Sequence, residues 1–494
     1  MSSVLANALL SSVASSDGVA MLAPGGRSIS YSELNEQSRS LAAGFIASGV
    51  RPGDRVAFQV HKSPSVVVLH LALLWCGAIQ VPINPDYPAG EVRCLLEDAQ
   101  PVAVIRDPDA PEIAGPWTSY TLDRHGDGSL LSLSDSADAP LPRITERDGA
   151  AILFTSGTTG APKGALLSHG NLAHNASTLV DVWGFSSDDH LVHVLPLFHT
   201  HGLFVALHCA LLSGACMSLL PRFDVDETIE ALSDPRSTVM MGVPTHYARL
   251  VESSWLTADI TAGMRLFISG SAPMTPALHQ AFADRTGHQV LERYGMTETS
   301  MLTSNPVDGV RKPGSVGLPL PGVDVRVVAA ADKEEREGDV GAVEVRGPNV
   351  FDGYWRRPEL RDTAFTTDGW FRTGDLGRFD ADGYLHLVGR SKDLVISGGL
   401  NVYPSDVEAV LDALPGVRES AVVGLPDADL GEQVVAVVVA ETDDALDESS
   451  VRHLARQHLA GYQVPKRVIV MPELPRNVMG KVQKDVLRQA LGTQ

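Results

Sequence analysis

Between Phe154 and Gly164 the chain places four hydroxyl residues (Thr155, Ser156, Thr158, Thr159), the glycines Gly157, Gly160 and Gly164, and one lysine, Lys163. Such a run makes a poor helix and a poor strand, but it suits a polyphosphate. Glycine lets backbone N–H groups approach the oxygens, hydroxyls add donors, and the lysine adds a point charge. The Walker pattern is excluded, because no Gly-Lys-Ser/Thr closes the run and Lys163 follows Pro162. A flexible linker would rarely set Pro-Lys-Gly beside an apolar run such as Ala150–Phe154. A nucleotide phosphate is the expected ligand.

Further runs share this character. Leu195–Leu203 carries His199 and His201 after an apolar strand, and Ser269–Pro273 is a tight turn after the strand Arg265–Ile268. Glu292–Glu298 follows another strand, Phe371–Leu376 contains Gly374 and Asp375, and Asn477–Val482 contains Gly480 and Lys481. His199 and His201 stand two apart with no third ligand nearby, a weak pattern for a metal.

The elements that must position these runs read as alternating strands and helices. Arg55–Val60 is followed by a helix over Ser65–Cys76 and a strand over Ala78–Pro82, which argues for α/β layers with largely parallel sheets. Asp107–Asp148 reads as surface loop and irregular strand, and Gly314–Tyr354 as short strands of a small β-barrel-like subdomain. After a boundary at Gly389–Asp393 the pattern restarts as an α+β unit: a helix over Pro404–Leu414, strands over Val417–Gly424 and Gln433–Ala440, and a helix over Glu448–Ala460. The expected domains are residues 1–390 and 391–494, as 494 residues exceed one compact core.

A formal charge of −21 argues against nucleic acid or an anionic membrane surface as partner, so an anionic substrate must be met by locally placed cations. Cys76, Cys94, Cys209 and Cys216 lie in apolar contexts without metal-ligand spacing and read as buried reduced thiols of a cytoplasmic protein. The start lacks a basic n-region, and Val66–Ile79, the most apolar stretch, is too short to span a bilayer.

In this order the runs resemble the acyl-adenylate-forming superfamily of acyl-CoA synthetases, adenylation domains and luciferases, from about residue 25 to about residue 490. Phe198–Leu203, Met241–Thr245, Leu291–Glu298, Gly398–Pro404 and Pro475–Lys481 look most like malonyl-CoA synthetases. The resemblance implies that a carboxylate attacks the α-phosphate of ATP and that CoA then takes the acyl group. The ligands are thus a small carboxylic acid, ATP with Mg2+, and CoA as substrate.

It implies these roles. Lys481 bridges carboxylate and α-phosphate. Glu298 is the magnesium-associated carboxylate, with Thr297 and Thr155 on phosphate oxygens, and Ser156 to Gly160 with Lys163 hold the leaving phosphates. Asp375 accepts the ribose hydroxyls and Arg390 touches the ribose. Tyr294 stacks on adenine opposite Ser271 and Ala272, with Pro273, Glu292 and Gly295 in the same ATP-binding loops. The small domain swings about Lys392 and Asp393, and Ser397, Gly398 and Gly399 line the pantetheine tunnel. His199, counted with the catalytic residues, stands at the gate between acyl pocket and tunnel; CoA thiol needs little activation, so a general base is not expected there.

Arg293 carries the reading of the acid. A buried arginine is costly without an anionic partner, and it makes sense if the substrate bears a second carboxylate. Ser271, Thr200 and His201 would help hold that carboxylate, and Met301 would limit chain length. Malonate fits. Leu302 stands where malonate enzymes often carry a polar residue, which opens methylmalonate, and Gln463 stands where relatives often have lysine. Two alternatives stay open: a medium-chain or aromatic acyl-CoA synthetase in which Arg293 pairs with Glu292 or Asp284, and a stand-alone enzyme loading a carrier protein.

Overall fold

The computed structural model describes residues 3–492 apart from 11–12, 14–15, 24–25, 136–138, 156–161, 330–337, 428, 442–446 and 478–479. Ser156, Gly157, Thr158, Thr159 and Gly160 therefore lie outside the described residues.

Local signals explain many element ends. Ser30 and Glu33 form a reciprocal capping box that starts the helix Tyr31–Ala47. Pro64 opens the helix Pro64–Cys76, and Gly77, at φ 73°, ends it in the left-handed region. Nearly every side chain of that helix is buried, as its continuous apolar run requires.

Nine strands form the first sheet, in the order Leu318–Pro319, Ser300–Ser304, Leu291–Met296, Leu266–Ser269, Val239–Gly242, His190–His193, Cys216–Leu219, Val19–Leu22, Ser28–Ser30. The six from Leu291–Met296 through Val19–Leu22 run parallel. The motif runs thus follow the carboxyl ends of neighbouring parallel strands, where open α/β sheets bind ligands. A six-stranded sheet contains Gly149–Thr155 paired antiparallel with Lys163–Ser168, so the phosphate run joins two hydrogen-bonded strands. The region expected as barrel-like, Gly314–Tyr354, supplies Asp324–Val328 and Gly341–Arg346 to a four-stranded antiparallel sheet that Phe371–Phe379 and Leu385–Arg390 complete.

From Val395 onward the apolar residues form clusters of their own. Along Gly431–Ala440, Val434, Ala436 and Val438 face the helices Pro404–Leu411 and Glu448–Ala455, while Val435, Val437 and Val439 face Lys484–Gly492. Both faces are covered, so the strand is apolar throughout. The helix expected to reach Leu414 stops at Leu411, because Pro415 disfavours helical geometry at the residue before it. The one expected through Ala460 stops at Ala455. Cys76 and Cys209 are buried, but Cys94 is exposed on the helix Ala89–Ala99, which buries Val92, Leu95 and Leu96 instead. Among the described residues, no helix is long and apolar enough to cross a membrane.

Candidate active site

Arg293 leaves the strand Leu291–Met296 on the face opposite its neighbours Glu292 and Tyr294, as strand alternation requires. It is 4% exposed, and its Nε and Nη2 have no hydrogen-bond partner. The two carboxylates expected as alternative partners are engaged elsewhere. Glu292 Oε1 lies 2.7 Å from His279 Nε2 and its Oε2 accepts from the Met274 amide, while Asp284 accepts from Gln280. Burial lowers the Arg293 pKa to about 9, which still leaves the guanidinium charged at neutral pH.

The guanidinium lies against the backbone of the turn after Leu266–Ser269. A Cβ on Gly270 would stand 2.4 Å from Arg293 Cζ, so only glycine leaves room. The next residue, Ser271, holds φ at 70°, a strained value for a non-glycine residue and one often retained at functional sites. Its Oγ lies 3.3 Å from His201 Nδ1.

His201 begins a π-turn, His201–Ala206, that follows Thr200. Thr200 Oγ1, His199 Nδ1, His201 Nε2 and Ser269 Oγ are buried without partners, like the Arg293 nitrogens. Burial pushes the His199 pKa down to about 4 and that of His201 well below its usual value, and the Arg293 charge adds to both shifts. Both rings are neutral at pH 7. Met301 is 2% exposed and packs against Gly295, where an added Cβ would meet its methyl at 2.7 Å. Asn175 holds the backbone N–H and C=O of Met301.

The residues expected to hold the nucleotide are wired differently. Asp375 and Arg390 are register partners on neighbouring strands, and Arg390 Nε stands 2.8 Å from Asp375 Oδ1. The Tyr294 hydroxyl donates to Asp375 Oδ2, the Asp375 amide donates to Thr373 Oγ1, and Arg390 Nη1 donates to the Thr373 carbonyl. Glu298, 5% exposed, accepts a 2.9 Å hydrogen bond from the Tyr354 hydroxyl. Lys163 Nζ lies 5.6 Å from the centre of the Tyr354 ring. Tyr354 was not legible as a site residue. It is placed because Trp355 N–H donates to Gly164 O and Leu166 N–H donates to Gly353 O, laying its segment along the strand that Lys163 opens.

Burial raises the Glu298 pKa, against hydrogen bonds from its own amide and Tyr354 and the nearby Arg390 charge. A hard cation beside this carboxylate would favour its ionised form, and a single carboxylate with phosphate oxygens is a usual magnesium set. The residue therefore fits Mg2+. Thr155 ends its strand with Oγ1 3.4 Å from the Lys163 carbonyl. Thr297 and Ala272 are half-buried and Pro273 is exposed. Glu292, expected with ATP, has its carboxylate bound to His279 and backbone amides.

Lys481 follows Gly480, whose φ is 74° and where a Cβ would come 2.7 Å from Thr245 Oγ1, at the start of the helix Pro244–Glu252. The loop of the C-terminal part thus touches the large sheet's site. Lys481 keeps solvent access, yet desolvation and Arg390 lower its pKa while Asp375 and Asp393 oppose them. Its amide donates to Asn477 Oδ1. Lys392 pairs with Asp485 at 2.9 Å and Asp393 with Arg488 at 2.5 Å, so both expected hinge residues hold the helix Lys484–Gly492. Ser397 is buried, and Gly398 and Gly399, at φ 58° and 78°, turn a hairpin whose flanks Ile396 and Leu400 are exposed. In this arrangement Lys481 is near Arg390 and Asp375, and the hairpin is at the surface.

A family model described as AMP-binding enzyme matches residues 11–355, and one described as AMP-binding enzyme C-terminal domain matches residues 406–481. Indoleacetate–CoA ligase of Aromatoleum aromaticum is 36% identical over 487 residues, covering 94% of this chain and 93% of that protein. The mitochondrial malonate–CoA ligase ACSF3 of Homo sapiens is 36% identical over 523 residues, covering 95% and 89%. Among solved structures, ATP-bound MatB from Rhodopseudomonas palustris matches with a TM-score of 0.95 at 47% identity, covering 100% of this chain and 99% of that one. Apo MatB, with the same coverage and identity, matches at 0.85. By its family matches and its likeness to MatB, the chain belongs to the AMP-binding enzyme family and has the fold of the adenylate-forming acid–thiol ligases.

Proposed function

We propose that this enzyme is an AMP-forming malonyl-CoA synthetase, with methylmalonate as a second substrate. The observation that carries this reading is Arg293, charged, buried and without a protein anion on Nε or Nη2. Thr200, His201 and Ser271 stand on the turns beside it, and a carboxylate at their centre would satisfy donors that otherwise cost stability. Similarity to ACSF3 and MatB supports malonate, but indoleacetate–CoA ligase is as similar as ACSF3, so the acid is decided by the pocket.

The chemistry divides at the proposed boundary between residues 1–390 and 391–494. In the first half-reaction one carboxylate oxygen of the acid attacks the α-phosphorus, the bond to the bridging oxygen breaks, and pyrophosphate leaves. Lys481 neutralises charge between carboxylate and α-phosphate, Asp375 accepts from the ribose hydroxyls in exchange for its contacts with Tyr294 and Arg390, and Lys163 with Thr155 holds the leaving group. Mg2+, bound by Glu298 and phosphate oxygens, would neutralise phosphate charge. In the second half-reaction Lys481 withdraws as the small domain turns about Lys392 and Asp393, bringing Ser397–Gly399 to the acyl site. The CoA thiolate attacks the acyl carbon and AMP leaves. His199, neutral at working pH, shapes the passage and does not take the thiol proton.

Pyrophosphate release assayed with malonate, methylmalonate, acetate, octanoate and benzoate tests the reading. Malonate should be turned over fastest; faster turnover of octanoate or benzoate contradicts it.

A further inference from the structure

Lys62 and His193 belong to the two large sheets and meet between them. Lys62 follows the strand Arg55–Gln59 of the six-stranded sheet, and His193 ends the strand His190–His193 of the nine-stranded one. Lys62 Nζ lies 2.8 Å from His193 Nδ1 and 2.7 Å from the His193 carbonyl. On the other side of the ring, His193 Nε2 lies 3.0 Å from the Gly202 carbonyl.

Only one pattern of donation satisfies all three contacts. A carbonyl can only accept, so His193 Nε2 must carry the proton. The ring is neutral, because burial and the Lys62 charge push its pKa well below the usual value. Its Nδ1 is therefore an acceptor, and Lys62 is the donor that this tautomer requires.

Gly202 is the second residue of the π-turn His201–Ala206, and its carbonyl also accepts from the Leu207 amide, five residues on. Both lone pairs are thus fixed, one by the turn and one by His193. A Cβ on Gly202 would come 2.0 Å from the Pro196 carbonyl, so the turn is also seated tightly on the loop that follows its strand. Thr200 and His201, with their unpaired Oγ1 and Nε2, immediately precede this anchored carbonyl.

Lys62 itself has no carboxylate at ion-pair distance among the described residues, the His193 ring beside it is neutral, and burial lowers its own pKa well below the usual lysine value. A half-buried lysine placed so is poor for stability. Its placement matches a role in geometry.

We propose that Lys62 is a positioning residue for the acid-binding turn: through His193 it fixes the Gly202 carbonyl, and with it Thr200 and His201. The proposal rests on the reading that this turn lines the acid pocket, and it holds for whichever acid is the substrate. Sub-ångström loosening of such a turn should act on acid binding and leave ATP untouched.

The test is a cycle of Lys62→Met, His193→Leu and the double variant, with KM measured for ATP and for the best acid of the panel above, together with Tm. Lys62→Met should raise the acid KM about tenfold with ATP KM within about twofold. Its Tm should hold or rise, since a charge without a counter-ion is removed. The double variant should be no worse than His193→Leu alone, because one link acts through the other. Lys62→Gln, which keeps an amide N–H for Nδ1, should lie between wild type and Lys62→Met and guards against a variant that does not fold. An unchanged acid KM in both Lys62 variants, an equal rise in the ATP KM, or full additivity would overturn the proposal. If malonate is a poor substrate but the acid-selective effect appears with another acid, the malonate reading falls and the role of Lys62 stands.

Discussion

At the nucleotide end of the site the polar groups already hold one another, with Asp375 taken by Arg390, Tyr294 and its own strand, and Glu298 by Tyr354. At the acid end, Arg293, next to Tyr294 on its strand, and His199, Thr200 and His201, on the turn after His190–His193, each bury an atom with no partner. ATP must exchange contacts with a network that is satisfied without it, so its binding there is close to an even trade of hydrogen bonds. The acid instead completes groups that have none. Unpaired buried donors cost more than paired ones return, so specificity concentrates where the orphans are. On the proposed function, the nucleotide end would serve any acyl adenylate, and the acid end would select the acyl group.

Variants should separate the two ends by whether their effect depends on the acid. The largest loss is expected for Lys481→Ala, about a thousandfold or more in pyrophosphate release with every acid, because one transition-state cation is removed. Thioester formation from supplied acyl adenylate should survive in that variant, which a coupled CoA assay reads. Glu298→Gln should cost about a hundredfold, again regardless of acid, with a higher Mg2+ requirement visible in a magnesium titration. Gly270→Ala should be acid-selective: its methyl displaces the Arg293 guanidinium, and kcat/KM for malonate should fall about tenfold with ATP KM unchanged. A uniform loss for all acids in Gly270→Ala would erase the distinction between the ends.

The smallest effect is on stability against pH. Burial pushes the pKa values of His70, His169 and His199 down to about 4 and that of His246 to about 3. As pH falls below 6.5 the unfolded chain binds protons that the folded protein refuses, so stability rises with pH in this window and is lost on acidification from about 6.5 towards 4. Each fully buried histidine accounts for up to about 3 kcal/mol over that range. Tm should fall by about 5 °C or more between pH 7 and pH 5, as read by calorimetry. A Tm that is flat across that interval would mean that these rings are not held neutral.

The two ends also differ in how far they could be read from sequence. The Gly-rich and hydroxyl-rich run suggests a phosphate site through composition alone, with Ser156–Gly160 outside the described residues, and the structure draws Asp375, Tyr294, Arg390 and Lys481 together in space. The acid end was legible in Arg293 but not in what surrounds it. Gly270 matters through contact with a residue more than twenty positions away, and Lys62 reaches His193 across two sheets, so neither leaves a local pattern. Glu292 shares the Arg293 motif, yet alternation turns its carboxylate to His279 on the other face. The helix expected to reach Leu414 stops short of Pro415, and Cys94, whose neighbours in sequence are apolar, is exposed because its helix turns Val92, Leu95 and Leu96 inward.

The most direct test of the central claim is the ratio of kcat/KM for malonate to that for octanoate, measured in wild type and in Arg293→Ala. Wild type should favour malonate, and Arg293→Ala should lower malonate by about a hundredfold while sparing octanoate, because truncation removes a buried, hydrogen-bonded charge pair. A wild-type preference for octanoate, or a ratio that Arg293→Ala leaves unchanged, would contradict the account.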